Sequence, residues 1–168
     1  RLFSMRVPKS SVPLTLIDAR GSNQLTQMPE TPELTKVAES IEIPAAPDHD
    51  TLVQGELVTV PLERLAWGRS GDKGDKANIG VMARDKAYLP WIADALTAEY
   101  VAARFAHFMT SPAIHRFYLP GLPGFNFVLH NALGGGGVAS LRNDPQAKSF
   151  AQILLDAPIS IPQNLLDS

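Results

Sequence analysis

Beyond residue 56 the chain reads as short apolar runs broken at close intervals by glycine and proline, the texture of strands joined by tight turns. Val58-Thr59-Val60 and Leu62 to Trp67 predict a first strand, in which Pro61 marks an edge or a bend. Ala77 to Ala83 is almost continuously apolar over a strand's length, the pattern of a strand buried on both faces. Between these two lies a loop centred on Gly71 to Lys76. Pro90 opens the clearest helix, predicted from Trp91 to about Phe108 and closed by Pro112. On its wheel Trp91, Ala95, Ala98, Ala102, Phe105, Ala106 and Met109 fall on one side, with Ala93, Thr97, Arg104 and His107 opposite. Two more strands follow, Ile114 to Leu119 and Phe125 to Asn131, separated by the turn cluster Pro120-Gly121-Leu122-Pro123-Gly124. After four glycines the pattern predicts a short fifth strand from Val138 to Arg142, a second helix from about Pro145 to Leu155 and a short terminal strand or extended tail at Ile159 to Pro162. This order predicts an α+β fold, a mainly antiparallel sheet with two helices on one face, because that arrangement buries both amphipathic helices most simply.

The first part of the chain is different. Residues 1–59 hold six of the fourteen prolines and two of the twelve glycines, with five basic and eight acidic side chains. We expect residues 1–55 to form an extended, Pro-rich arm or linker and residues 56–168 to form the folded domain. Within the arm, Val12 to Ile17 predicts a short edge strand, and Thr31-Pro32-Glu33 opens a short helix to about Ile41. At 168 residues the chain holds one well-buried core plus appendages. It opens at Arg1 rather than Met, which fits a processed product, a trimmed chain or the tail of something longer.

Charge and composition narrow the function classes. A net charge of −2 provides no global field for nucleic acid or an anionic membrane, and no basic stripe is interleaved with aromatics, so neither partner is expected. No apolar run has the length of a membrane helix. The absence of cysteine excludes disulfides, thiolate metal sites and a Cys nucleophile, and a cytoplasmic location is the expectation.

The most distinctive stretch is Arg69-Ser70-Gly71-Asp72-Lys73-Gly74-Asp75-Lys76-Ala77-Asn78-Ile79-Gly80-Val81. With Asn126-Phe127-Val128-Leu129, Leu133-Gly134-Gly135-Gly136-Gly137, Ser140-Leu141-Arg142 and Ile159 to Pro162 following in order, it resembles the small module of acyclic terpene utilisation (AtuA-like) proteins over roughly 100 residues. The resemblance implies a ferredoxin-like two-layer sandwich, a larger AtuA-type domain or subunit as companion, and a link to acyclic terpene breakdown through coenzyme A thioesters. It carries no settled catalytic mechanism.

Two loops hold the candidate chemistry. In the first, Gly71 and Gly74 allow backbone amides to approach a ligand, and Arg69, Lys73 and Lys76 add charge-assisted donors, with Ser70 and Asn78 beside them; a phosphate or carboxylate suits such a loop. It lacks the spacing and the following helix of a Walker loop. The same residues also make a hairpin loop whose Asp and Lys side chains pair with one another. Asp72, Asp75 and Asn78 offer three oxygens to Mg²⁺ or Ca²⁺, a minority reading because no fourth ligand is in register. In the second loop, Gly134, Gly135, Gly136 and Gly137 suit either a close backbone approach to a ligand or neighbouring chain, or a flexible crossover, and Arg142 follows. If both loops lie at one end of the sheet, Arg69, Lys73, Asn78 and Arg142 converge on one anion. A metal site at His115 and His130 would need a third ligand that no spacing demands. Nothing like Gly-x-Ser-x-Gly surrounds Ser70 or Ser140, which argues against a hydrolase.

Two function classes follow. One is a ligand-binding or homo-oligomerisation module. The other is an enzyme, or enzyme subunit, acting on an isoprenoid coenzyme A thioester with Asp72 or Asp75 as acid/base. No cofactor is certain; a coenzyme A thioester as ligand is the one the resemblance suggests.

Overall fold

The computed structural model describes residues 5, 7–21, 23–26, 45–48, 55–111 and 113–167. The chain divides into two compact units, Arg1–Ile41 and Glu42–Ser168. In the first unit, β1 (Leu14–Ile17) pairs antiparallel with β2 (Asn23–Thr26), Leu14 opposite Thr26. The edge strand expected there is therefore half of a hairpin whose second strand the sequence did not suggest. The helix expected at Thr31 to Ile41 lies outside the described residues, as does most of the expected arm.

In the second unit, β3 (Leu57–Pro61) ends at Pro61, and Leu62–Arg64 make one 3₁₀ turn before β4 (Ala66–Lys73). What looked like one bent strand is two, because Pro61 cannot continue a ladder. β4 runs through the Arg69–Lys73 stretch and turns at Gly74-Asp75 straight into β5 (Lys76–Ala83). The expected six-residue loop is thus a two-residue hairpin turn, with Gly74 at φ +65°. Helices α1 (Leu89–Ala95) and α2 (Ala98–Arg104) replace the single helix expected there. Thr97 breaks it by leaving helical geometry and accepting a hydrogen bond from Tyr100 N–H, so α2 starts with its own cap. The break resets the helical phase, and Ala93, assigned to the polar side, is buried with Ile92 and Leu96.

After α2 come β6 (Ile114–Leu119), β7 (Gly124–Leu129), α3 (Phe150–Leu155), β8 (Pro158–Pro162) and the one-turn α4 (Gln163–Leu166). No strand forms at Val138 to Arg142; Gly137–Ala139 is a 3₁₀ turn leading into irregular chain. The main sheet has the order β4-β5-β7-β6, antiparallel throughout, while β3 and β8 pair separately. β5, the paired helices, β6 and β7 form the split β-α-β of a ferredoxin-like fold, with β7 between the parallel β5 and β6. β4 flanks β5 on the other side.

One face of this sheet is core. Ala77, Ile79 and Val81 of β5 and Phe125, Phe127 and Leu129 of β7 alternate inward and meet Val101, Phe105, Phe150 and Leu154 from the helices. The Phe105 and Phe150 rings stack at 5.2 Å. Burying each such ring stabilises the fold by roughly 2–3 kcal/mol. Arg116, also pointing inward from β6, lays its guanidinium 5.1 Å from the Phe125 ring centre and donates to the Ala93 and Leu96 carbonyls at 2.6 and 3.0 Å, closing the end of α1. The opposite face of the sheet carries the other half of each strand's residues, and the candidate site lies at one corner of it.

Candidate anion-binding site

Strand alternation decides which side chains share a surface. On β4, Ser70 points to the helix side: it is 7% exposed, its Oγ accepts a hydrogen bond from Ala151 N–H at 2.8 Å, and it faces the Lys148 carbonyl at 3.4 Å. Its role is to dock the start of α3 on the strand. Arg69, Gly71 and Lys73 point to the outer face, opposite Gly80, Asn78 and Lys76 of β5. There a cleft of about 370 Å³ opens at the edge of β4, lined by Arg69, Ser70, Gly71, Asp72, Lys73, Asn78, Gly80 and Lys148. Lys148 reaches it from the chain before α3, its Nζ standing 3.7 Å from where a Gly71 Cβ would lie. Ala147, just ahead of it, is held at φ +54°, a conformation that costs a residue with a Cβ about 1–2 kcal/mol.

Among the described residues, the charged ends of Arg69, Lys73 and Lys148 have no hydrogen-bond or ion-pair partner. The pairing of Asp72 with the lysines that a closed hairpin loop would show is not formed. Lys73 and Lys76 face each other across the last rung of the hairpin, a like-charge pair that weakens the ladder. Gly71 and Gly80 lie in strand interiors, where glycine is disfavoured. Neither has a positive φ, and a Cβ on either meets nothing closer than 3.7 Å. Neither turn geometry nor packing accounts for them. Glycine at such a place lets another group come down onto the backbone.

The second glycine run does meet the first loop, at the hairpin turn. Gly134 to Gly137 all have positive φ, and a Cβ on Gly136 would overlap the Gly74 carbonyl. Asp75 accepts hydrogen bonds from Leu133 N–H at 3.2 Å and Gly135 N–H at 2.8 Å through Oδ1, and its carbonyl accepts from Ala132 N–H at 3.0 Å. The amides that were expected to cradle a ligand cradle the protein's own carboxylate. Asp75 thus holds the two loops together through Oδ1 and its carbonyl. Arg142 does not join the cleft. Its guanidinium donates to the Ala132 carbonyl, donates to the Phe108 carbonyl at 2.7 Å and lies 5.9 Å from the Phe108 ring centre. The convergence expected of four residues is a convergence of Arg69, Lys73 and Asn78, with Lys148 in place of Arg142.

A family model described as the AtuA ferredoxin-like domain matches residues 60–160. The chain belongs to this family. No curated protein and no solved structure matches it. In this AtuA ferredoxin-like domain the matched span contains the cleft, the Asp75 clamp and every strand of the main sheet.

Lys148 is the site residue that sequence reading missed. It lies outside the motif, and only the packing of α3 on β4 through Ser70 brings it over the edge. Asp144 helps place it by accepting from Lys148 N–H and Ser149 N–H, both at 2.8 Å. Burial works to raise the Asp144 carboxyl, but the hydrogen bonds from Ser149, Lys148 and Gln146 outweigh it and hold the group below its ordinary value. The domain also brings His115 and His130 together, ring centres 4.9 Å apart. Among the described residues the buried Nε2 of His130 has no partner, and burial, with Lys76 and His115 nearby, depresses its pKa. Among the described residues no group of three His, Cys, Asp or Glu side chains is placed to hold a metal, and no helix is long and apolar enough to cross a membrane.

Proposed function

We propose that this AtuA ferredoxin-like domain is a ligand-binding module that takes an anionic group, a carboxylate or phosphate, in the cleft at the edge of β4. The observation that supports this reading is one juxtaposition: two strand glycines with no conformational or packing reason to be glycine, beside three cations without partners. The anion lies over Gly71 and Gly80, accepts from Arg69, Lys73 and Lys148, and meets the Asn78 amide. Charge-assisted bonds of this kind are the strong class, and the concavity limits their screening by water. The coenzyme A thioester of the family resemblance, which carries several phosphates, is the first ligand to try.

A thermal-shift series with inorganic phosphate, short-chain carboxylates and acyl-coenzyme A esters tests it, because a ligand that binds only the native state raises the melting temperature with concentration. We expect a dose-dependent rise, reduced in Lys73→Ala and Lys148→Ala. A flat response across the series ends the proposal. Asp72 is the one carboxylate lining the cleft and supports the second reading, an enzyme acting on the thioester. In that case Asp72→Asn abolishes turnover of the ester while leaving its binding intact.

A further inference from the structure

The outer face of the main sheet is larger than the cleft and has its own chemistry. Reading the rungs across β4, β5, β7 and β6 places Trp67, Met82, Gly124 and Leu119 in one row, Arg69, Gly80, Asn126 and Phe117 in the next, and Gly71, Asn78, Val128 and His115 in the third. Trp67, Met82 and Phe117 are 48%, 37% and 45% exposed, so none of them belongs to the core. The charged side chains on these rows and the closing rung are Arg69, Lys73 and Lys76, with no carboxylate among the strand positions of this face. A second copy of the chain, face to face, would set cations against cations. An anionic partner with flat apolar groups is complementary.

From this face we infer that the domain binds single-stranded nucleic acid. Four-stranded sheets hold two or three bases on exposed aromatic rings, and a cationic border follows the phosphates. Here Trp67 and Phe117 stand on opposite edge strands, three strand spacings or about 14 Å apart across the sheet and about 7 Å along it. Arg84 lies over the Trp67 ring, its guanidinium 4.8 Å from the ring centre, and its Nε donates to the Glu63 carbonyl at 3.0 Å. A base takes that face of Trp67 only by displacing Arg84, so Phe117 is the open ring. Gly80, between the two rings, lets a base lie flat on the backbone, and the Asn78 and Asn126 amides, 3.4 Å apart, offer donors and acceptors to base edges. The sequence concealed this face because its cations and rings come from four separate strands and form no linear stripe.

Part of the inference rests on the anion cleft, since Arg69, Lys73, Asn78 and Gly80 serve both, and the experiment separates the two. Fluorescence anisotropy of labelled short oligothymidine and oligouridine at low salt reads binding, with a duplex of equal length and polyglutamate as competitors. We expect single strands to bind, with log affinity falling against log salt at a slope of about −2, as release of counterions by three cations gives. Phe117→Ala should weaken this at least about fivefold and Phe117→Tyr restore it, whereas neither touches the phosphate-induced thermal shift. No binding at low salt overturns the inference and leaves the anion cleft standing. A duplex that competes equally, or polyglutamate that competes as well as the oligonucleotide, overturns it in favour of unspecific charge or an acidic protein partner.

Discussion

The Gly134–Gly137 loop with Arg142 and the Gly71–Gly80 part of the hairpin contain the same ingredients, glycines next to cations, and they differ in what those ingredients touch. In the first, every glycine adopts a left-handed conformation, Gly136 is closed against the Gly74 carbonyl, the amides bind Asp75, and Arg142 ties two carbonyls. In the second, the glycines are extended and uncrowded, and Arg69, Lys73 and Lys148 end in an open cleft. Composition does not distinguish a glycine cluster closed by the protein's own groups from one left open. The contacts do.

Substitution should break the two regions in opposite ways. The largest effect is expected at Gly136→Ala, which combines a left-handed backbone with overlap against Gly74. Denaturant unfolding should show a loss of about 3 kcal/mol or more, or no folded protein at all. Next comes the arginine pair. Arg142→Met should cost about 2–3 kcal/mol by leaving the Ala132 and Phe108 carbonyls without donors, while Arg69→Met should stay within about 0.5 kcal/mol of wild type. Equal losses at both arginines would erase the comparison. Gly71→Ala and Gly80→Ala should each raise stability by about 0.5–1 kcal/mol, because a strand glycine loses more chain entropy than alanine and both sites have room for the methyl group.

A smaller effect concerns pH. His130 titrates below its ordinary value of 6.5 in the folded state, chiefly through burial and then through Lys76 and His115. The unfolded chain takes up the proton first, so this contribution to stability is complete above pH 6.5 and is lost as pH falls through the folded-state value. The melting temperature should drop on acidification through that window, and His130→Asn should make the drop smaller.

Much of the fold was legible along the chain. The extents of β5 and β7 and the turn cluster at Pro120–Gly124 followed from local pattern, and so did the α+β class. Four things did not. The apolar run from Ala77 to Ala83 read as buried on both faces, but only Ala77, Ile79, Val81 and Ala83 enter the core, while Asn78, Gly80 and Met82 lie on the outer face. The helix break at Thr97 depends on a cap that competes with a continuous apolar face, and both fit the same letters. The absence of a strand at Val138 to Arg142 follows from the clamp between Asp75 and the glycine amides, a contact across some sixty residues. Lys148 enters the cleft only because buried Ser70 docks the start of α3 on β4. Of the candidate site, the hairpin residues were readable from their motif. Which ones remain available to a ligand was not, because that is decided by where Asp75 and Arg142 find their partners.

The most direct test is a calorimetric titration of phosphate and of an acyl-coenzyme A ester into wild type and into the Gly71→Ala, Gly80→Ala double variant, with the melting temperature of each recorded without ligand. The account predicts a double variant that melts at or above the wild-type temperature and binds at least about tenfold more weakly, a change of about 1.4 kcal/mol in binding free energy. A double variant that binds as tightly as wild type would contradict it, since the bare backbone at Gly71 and Gly80 would then have nothing to do with the ligand.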